Sequence, residues 1–511
     1  MTDLHLPWLE MGILIPLMGG LLVGCLRDPL AARKWSLVFC GLTLVCVVSA
    51  WQDFGILHAT RADDPGHVLA KLIGREIFII DELSAPLLPL VALLYFLVTI
   101  ATMRTKVRRF SFSWMLFSEA LLLATFSCSE PWLVITLLAL GTAPPYFELR
   151  ARKRCTRMYA LYMLTSVGLM VLGQLLVTIE GDTKGNPHAL WAVIPILFGV
   201  LIRCGTLPFH TWTTDLFEKA TFGTALLFLA PITGAYAAVR LVLPVAPDAA
   251  LRIMGLMSLI TAVYSAAMAL VQRDGRRFFC FLLLSHSSMV LVGLEMLSLV
   301  GLTGALSLWL SVGISLGGFG ITMRALEARR GRLGLVEFQG LYENTPALAV
   351  CFLLTGLACV GFPLTIGFVG TELLIDDAVK VYIYIGAAVV VASAMNGIAM
   401  VQAFFLLFTG TRHTSTISLK IGVRERFAVL TLAALVLLGG VFPQPGVVSR
   451  FNAARQLTKE RKALVGDTKQ VPPPQVTPGK KTIKPPPKSK APHVTLTPAS
   501  SSADASASIG H

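Results

Sequence analysis

Charge is what this chain has least of. Of its 511 residues only 14% are Asp, Glu, Lys or Arg, against 55% hydrophobic, and the mean hydropathy is +0.72. A soluble domain of this size needs a far larger polar surface, so a water-soluble enzyme is excluded. Paired cysteine spacing is also missing. The nine cysteines are scattered, mostly inside apolar runs, and read as small buried hydrophobes rather than a disulfide or metal framework. The sequence has no phosphate loop, flavin fingerprint, metal cluster or nucleophile arrangement. It therefore offers no cofactor, no metal and no catalytic site of its own.

What is present is apolar sequence in lengths that fit a bilayer. Stretches suited to ~30 Å of hydrocarbon recur near 11–25, 34–50, 85–103, 113–128, 131–148, 158–179, 190–207, 220–243, 252–271, 277–298, 301–323, 346–370, 380–408 and 425–442. They predict an all-α polytopic membrane protein of about fourteen transmembrane helices. The first stretch lacks a small-residue cleavage site and is followed at once by more spans, so it reads as a retained helix.

The net charge of +14 does not point to nucleic acid, because it sits in short clusters between spans: Arg27 to Lys34, Arg104 to Arg109, Arg150 to Arg157, Arg273 to Arg277, Arg324 to Arg332, and Arg412. The alternate loops are acidic or neutral, as at Asp53, Asp63, Asp64, Glu180 and Asp182. This positive-inside pattern places both termini on the non-cytoplasmic face of the cell inner (plasma) membrane. Residues 455–511, rich in Pro, Lys, Ser and Ala, have too few large apolar side chains for a core and predict a disordered tail.

Ionisable groups within spans cost at least ~2.5–3.5 kcal/mol each at the bilayer centre, so each marks a candidate site. Glu119, Arg203, His210, Asp215, Glu218, Arg240, His286, Glu295, Arg324 and Glu372 lie in or beside spans. Arg240 and Arg324 are near span ends and are expected to snorkel to the interface. Glu119, in WMLFSEALLLATF, has apolar neighbours on both sides and needs a partner or a water-filled cavity. Two spans carry helix breakers: Gly205 and Pro208 in the seventh, and Gly361, Pro363 and Gly367 in the twelfth. Paired broken helices point to two inverted five-helix repeats, 113–243 and 252–408, around an ion pathway. Residues 1–112 then hold helices 1–3, and 409–454 a C-terminal helix with its flank.

The stretch RCGTLPFHTWTTDLFEKATFGTALL resembles the broken-helix motif of the antiporter-like subunits of respiratory complex I and of multisubunit Na⁺/H⁺ antiporters. That family also includes the membrane partner of an inorganic-carbon uptake complex. Pro208, Phe209, His210, Trp212, Asp215, Glu218, Thr221, Ala225, Leu226 and Leu227 match it without a gap. QRDGRRFFCFLLLSHSSMVLVGL fits a second motif through Gln272, Asp274, Arg277, Ser285 and His286, with Arg276 in place of a lysine. YENTPALAVCFLLTGLACVGFPLTIGFVGTELL resembles the twelfth helix, and IIDELSAPLLPL, with Asp81, the lead-in to the third. The resemblance covers roughly residues 75 to 410.

The resemblance implies a proton- or cation-translocating subunit of a complex with other membrane subunits, where any NADH or quinone chemistry belongs to partners. A Glu–Lys pair and further lysines are implied along the membrane midplane. Here the family glutamate position is Ala139, the eighth-helix lysine is Ile232, the eleventh span has no lysine, and the seventh-helix lysine is Arg203. Arginine holds its proton throughout the physiological range. Arg203 is thus expected to be a fixed cation, with Glu119 as its replacement partner or, closer in sequence, Glu218. Titratable candidates are Glu119, His210, Asp215, Glu218, His286 and Glu372. A subunit that keeps the fold and conducts little, or one serving inorganic-carbon uptake, is the alternative.

Overall fold

The computed structural model describes residues 2–65, 77–103, 107, 110–181, 183, 186–410 and 422–465, which fall within one compact unit, Met1–Thr468. The basic clusters over 104–109 and at Arg412, and the tail from 466 onward, lie outside the described residues.

The chain is mostly helical. In order it forms α1 (Trp8–Cys25), α2 (Pro29–Leu57), α3 (Leu87–Ala101), α4 (Phe112–Phe126), α5 (Pro131–Leu140), α6 (Ala143–Ala151), α7 (Arg157–Glu180), α8 (Leu190–Cys204), α9 (Thr211–Lys219) and α10 (Phe222–Leu229). There follow α11 (Thr233–Ala237), α12 (Asp248–Val271), α13 (Gly275–Glu295), α14 (Leu299–Arg330), α15 (Pro346–Val360), α16 (Ile366–Val381), α17 (Ile383–Phe408), α18 (Val423–Val441) and α19 (Gln444–Val465). The starts obey local rules. Asp28 accepts from Leu30 N and Ala31 N at 3.0 and 3.1 Å and Pro29 opens α2, while Ser298 accepts from Gly301 N at 2.8 Å to open α14.

Among the described residues nine helices are long and apolar enough to cross a membrane, or ten if α18 and α19, bent by 77°, are one span. The expected count of about fourteen came from apolar length alone. Four of those stretches fold as α3, α4, α8 and α15, each of 15 residues. Such a helix rises about 22 Å, short of the ~30 Å core. The fifth stretch turns at Gly141 between α5 and α6 and still counts as one of the nine, Pro131–Ala151. Helix α19 also takes the first residues of the segment expected to be disordered. Its polar face is held by the body: Arg461 donates to the Leu243 carbonyl at 2.6 Å, and Arg450 to the Leu83 carbonyl at 3.1 Å.

A small sheet ties the chain together at one end. β1 (Thr2–Asp3) pairs parallel with β2 (Arg61–Asp63), which pairs antiparallel with β3 (Ile79–Asp81). Asp64 beside it accepts from Leu9 N at 3.1 Å and Glu10 N at 2.6 Å, and burial pushes its carboxyl up to about 6. At the opposite end Arg33 donates to the Ile100 carbonyl (2.9 Å), Arg276 pairs with Glu327, and Arg329 with Glu425. Cys40, Cys46, Cys128, Cys204, Cys280, Cys351 and Cys359 are buried free thiols and Cys25 and Cys155 exposed ones, as small apolar fillers require.

Neither Arg240 nor Arg324 snorkels. Both are buried because each finds partners inside. Arg324 donates to the Val98 carbonyl and Thr102 Oγ1 at 3.1 and 2.9 Å and lies over the Phe110 ring. Arg240, in a π-helical turn (Ala238–Val242) that continues α11, pairs with Asp81 at 2.6 Å. Its Nε donates to Tyr236 Oη at 3.1 Å, and that hydroxyl reaches the Cys128 carbonyl at 2.7 Å. The sheet, the π turn and the α4–α5 connection thus share one charged knot. Removing one partner strands a buried charge, so Asp81→Asn or Arg240→Gln alone is expected to cost about 3–5 kcal/mol. A double-mutant cycle by thermal melting in detergent should return a coupling well above 1 kcal/mol, and additivity would contradict it.

Candidate ion pathway

Two helices end in the same way. In α8 the residue after the helix, Gly205, takes φ +70°, its N–H reaches the Ile202 carbonyl at 3.1 Å, and Thr206 N reaches the Leu201 carbonyl at 3.1 Å. In α15 Gly361 takes φ +82°, with Gly361 N on Ala358 O at 3.3 Å and Phe362 N on Leu357 O at 3.1 Å. Both are Schellman ends, which need a left-handed residue that glycine supplies without a Cβ penalty. The prolines at 208 and 363 then prevent the helix from resuming.

A break within a span must find partners for its peptide groups, since no water competes there. At the first break Leu207 N donates to Thr261 Oγ1 on α12 at 2.9 Å, and Trp212 Nε1 donates to the Ile202 carbonyl at 2.9 Å. At the second, Pro363 has no N–H for the carbonyl of Cys359, four residues back. The ring of His286 on α13 lies near that carbonyl, and its Nδ1 is 2.8 Å from the Leu282 carbonyl. His286 is buried, and beside it Ser285 links the Ala262 carbonyl (2.9 Å) to Asn396 Nδ2 (2.8 Å).

The remaining candidates separate into groups. Glu119 is fully buried on α4; Cys40 Sγ lies 3.0 Å from its Oε2, and its Oε1 has no partner. It does not meet Arg203, contrary to the expected pairing, because it points to α2. Arg203 is buried at the end of α8, donates from Nε to Thr233 Oγ1 at 3.2 Å and lies over the Phe228 ring at 5.4 Å. His210 caps α9 without a side-chain bond, its ring against Tyr264 and Phe281 and its Nδ1 unpartnered. Asp215 pairs with Lys219 at 2.5 Å along α9. Glu218 sits at the basic end of the bundle, partly exposed and 2.9 Å from Arg277. Glu372 is exposed on α16. Ala139 ends α5, and Ile232, at φ +51°, precedes α11.

Two small cavities of about 20 Å³ each lie between these groups and share Tyr95, Ser118, Leu227 and Phe228 in their linings. One reaches Arg203 and Thr233; the other reaches Glu148. Tyr95 Oη and Ser118 Oγ, 2.7 Å apart, stand where the two meet. Sequence reasoning passed over Glu148, three residues past Pro145 in LLALGTAPPYFEL. Its Oε1 accepts from Thr221 N at 3.0 Å and pairs with Arg152 at 3.2 Å, and its Oε2 accepts from Thr224 Oγ1. A carboxylate one turn beyond two span prolines was the available signal.

Comparison with known proteins fits this arrangement. The family model described as "NADH:quinone oxidoreductase/Mrp antiporter, TM" matches residues 158–396, which include both breaks. Over that stretch the chain is similar to the antiporter-like membrane subunits. It is 27% identical over 265 residues to the F(420)H(2) dehydrogenase subunit M of Methanosarcina mazei, covering 49% of this chain and 52% of that one. It is 25% identical over 492 residues to the NADH-quinone oxidoreductase subunit M of Pseudomonas aeruginosa, covering 86% and 94%. The chain thus spans about half the length of the first of these relatives and nearly all of the second. Among solved structures it is similar to a chain of the Mrp complex from Dietzia sp. (TM-score 0.78, 18% identity, 90% of this chain and 99% of that one). It is also similar to a chain of respiratory complex I from Thermus thermophilus (TM-score 0.76, 22% identity, 89% and 99%). These structures share its fold.

The first break depends on Thr261. Thr261→Val leaves the Leu207 N–H without a partner and is expected to cost about 1–3 kcal/mol, while Thr261→Ser retains the hydroxyl and most of the stability. Thermal melting of both variants checks the order.

Proposed function

We propose that this chain translocates protons, or another small cation, as the antiporter-like subunit of a multisubunit membrane complex of the NADH-quinone oxidoreductase or Mrp type. The observation that carries the reading is the matched pair of Schellman ends at Gly205 and Gly361, which interrupt two spans with one hydrogen-bond pattern. It supports two inverted five-helix repeats, 113–243 and 252–408, within a set of about fourteen helices that includes half-helices. Glu119 and His286 are the buried proton carriers. Arg203 is a fixed cation between them, and His210, Asp215 and Glu218 line an entrance at the basic end.

The second break also speaks for neighbours. Phe362 and Leu364 are 51% and 68% exposed on the chain's own surface, about 22 Å along from the start of α15. Irregular backbone at membrane depth is tolerated only against protein or water. A partner membrane subunit covers this face, and Glu372 on the following helix lies toward it. The separation of the arginine end from the sheet end supports an inner-membrane orientation with the termini non-cytoplasmic.

The test is proton flux in proteoliposomes containing the chain with the membrane subunits that co-purify with it. Glu119→Gln and His286→Ala should each lower flux about tenfold or more, whereas Glu218→Gln, at the surface, should lower it less. Equal flux from the native complex and both buried-site variants would overturn the proposal.

A further inference from the structure

Arg203 is a buried cation that lacks a counter-charge. It is 4% exposed, its Nε is spent on Thr233, and its Nη1 has no partner. The cavity it lines offers hydroxyls from Tyr95, Ser118, Thr125 and Thr233 and apolar walls from Leu227 and Phe228, but no carboxylate. The ionisable groups felt at the guanidinium are the Tyr159 phenol and the Cys204 thiol, both ordinarily neutral at pH 7. The end of α5 passes directly beside it: a Cβ on Gly141 would stand 3.9 Å from Nη2.

An unpaired charge removed from water is strongly unfavourable unless something neutralises it. We infer that a monovalent inorganic anion of halide size, taken from solution, binds in this cavity as the counterion of Arg203. A single positive charge matches a single negative one. The Ser118 and Tyr95 hydroxyls supply donors, and the apolar walls suit a weakly hydrated ion better than a multivalent oxyanion. The cavity's volume of about 20 Å³ leaves room for one small ion in place of a water. This site does not depend on translocation, so it stands or falls separately from the proposed function.

The probe is bromide against gluconate at constant ionic strength, read by thermal melting of the purified complex. The native chain should gain about 2–4 °C in bromide. Arg203→Gln should lose the gain because the cation is gone, and Gly141→Asp should lose it because a carboxylate on a Cβ 3.9 Å from Nη2 then supplies the anion. No bromide gain in the native chain, or an equal gain in all three, would overturn the inference. Should a variant fail to fold, crystals of the native protein grown in bromide decide the matter. An anomalous peak within about 3.5 Å of Nη1 supports the site, and its absence removes it.

Discussion

The constraint on which this structure rests is that a peptide group inside a membrane cannot turn to water when a helix stops. The chain stops two helices there, at Cys204 and Val360, and meets the same need each time with a left-handed glycine and two backward hydrogen bonds. What the backbone cannot satisfy by itself falls to neighbouring helices. Thr261 takes the Leu207 N–H, and His286 lies near the carbonyl that Pro363 leaves open. The polar side chains around the breaks are therefore structural and functional at once. They hold the irregular backbone, and they are the groups a proton can visit.

Charge is arranged by the same economy. Most buried arginines in this bundle are answered by an acid or by carbonyls: Arg240 by Asp81, Arg329 by Glu425, Arg324 by Val98 and Thr102. Arg203 is answered by one hydroxyl and an aromatic face. A guanidinium does not release its proton near neutrality, so this residue supplies a constant field across the cavity rather than a stop on a relay. Its place in the fold, between the Tyr95–Ser118 pair and the end of α5, lets that field bear on whatever ion or water occupies the cavity.

Much of this was legible in the residues. Long apolar runs and their breakers located most helices, since ~20-residue apolar length and Gly–Pro punctuation are local signals. The motif around Pro208 to Leu227 identified the family, because its order and spacing are specific. Side-chain direction was not legible. Glu119 reads as a lone acid that ought to seek Arg203, yet its position on α4 turns it to Cys40 on α2. Arg240 and Arg324 read as snorkelling residues near span ends, yet tertiary partners more than 150 residues away in sequence hold them inside. Glu148 went unread because a carboxylate beside Arg150 and Arg152 looks like part of a surface cluster. The bend at Phe442 that sends α19 back over the body was likewise invisible, since nothing in its polar sequence names Leu83 or Leu243 as a partner.

The central claim is that position 203 holds its charge while protons move elsewhere. Its most direct test is the pH profile of proton flux in proteoliposomes, comparing the native complex with Arg203→Lys. A fixed cation in the native chain predicts that the lysine variant, whose ammonium can release its proton when desolvated, gains a titration step that the native profile lacks. Superimposable profiles would contradict it.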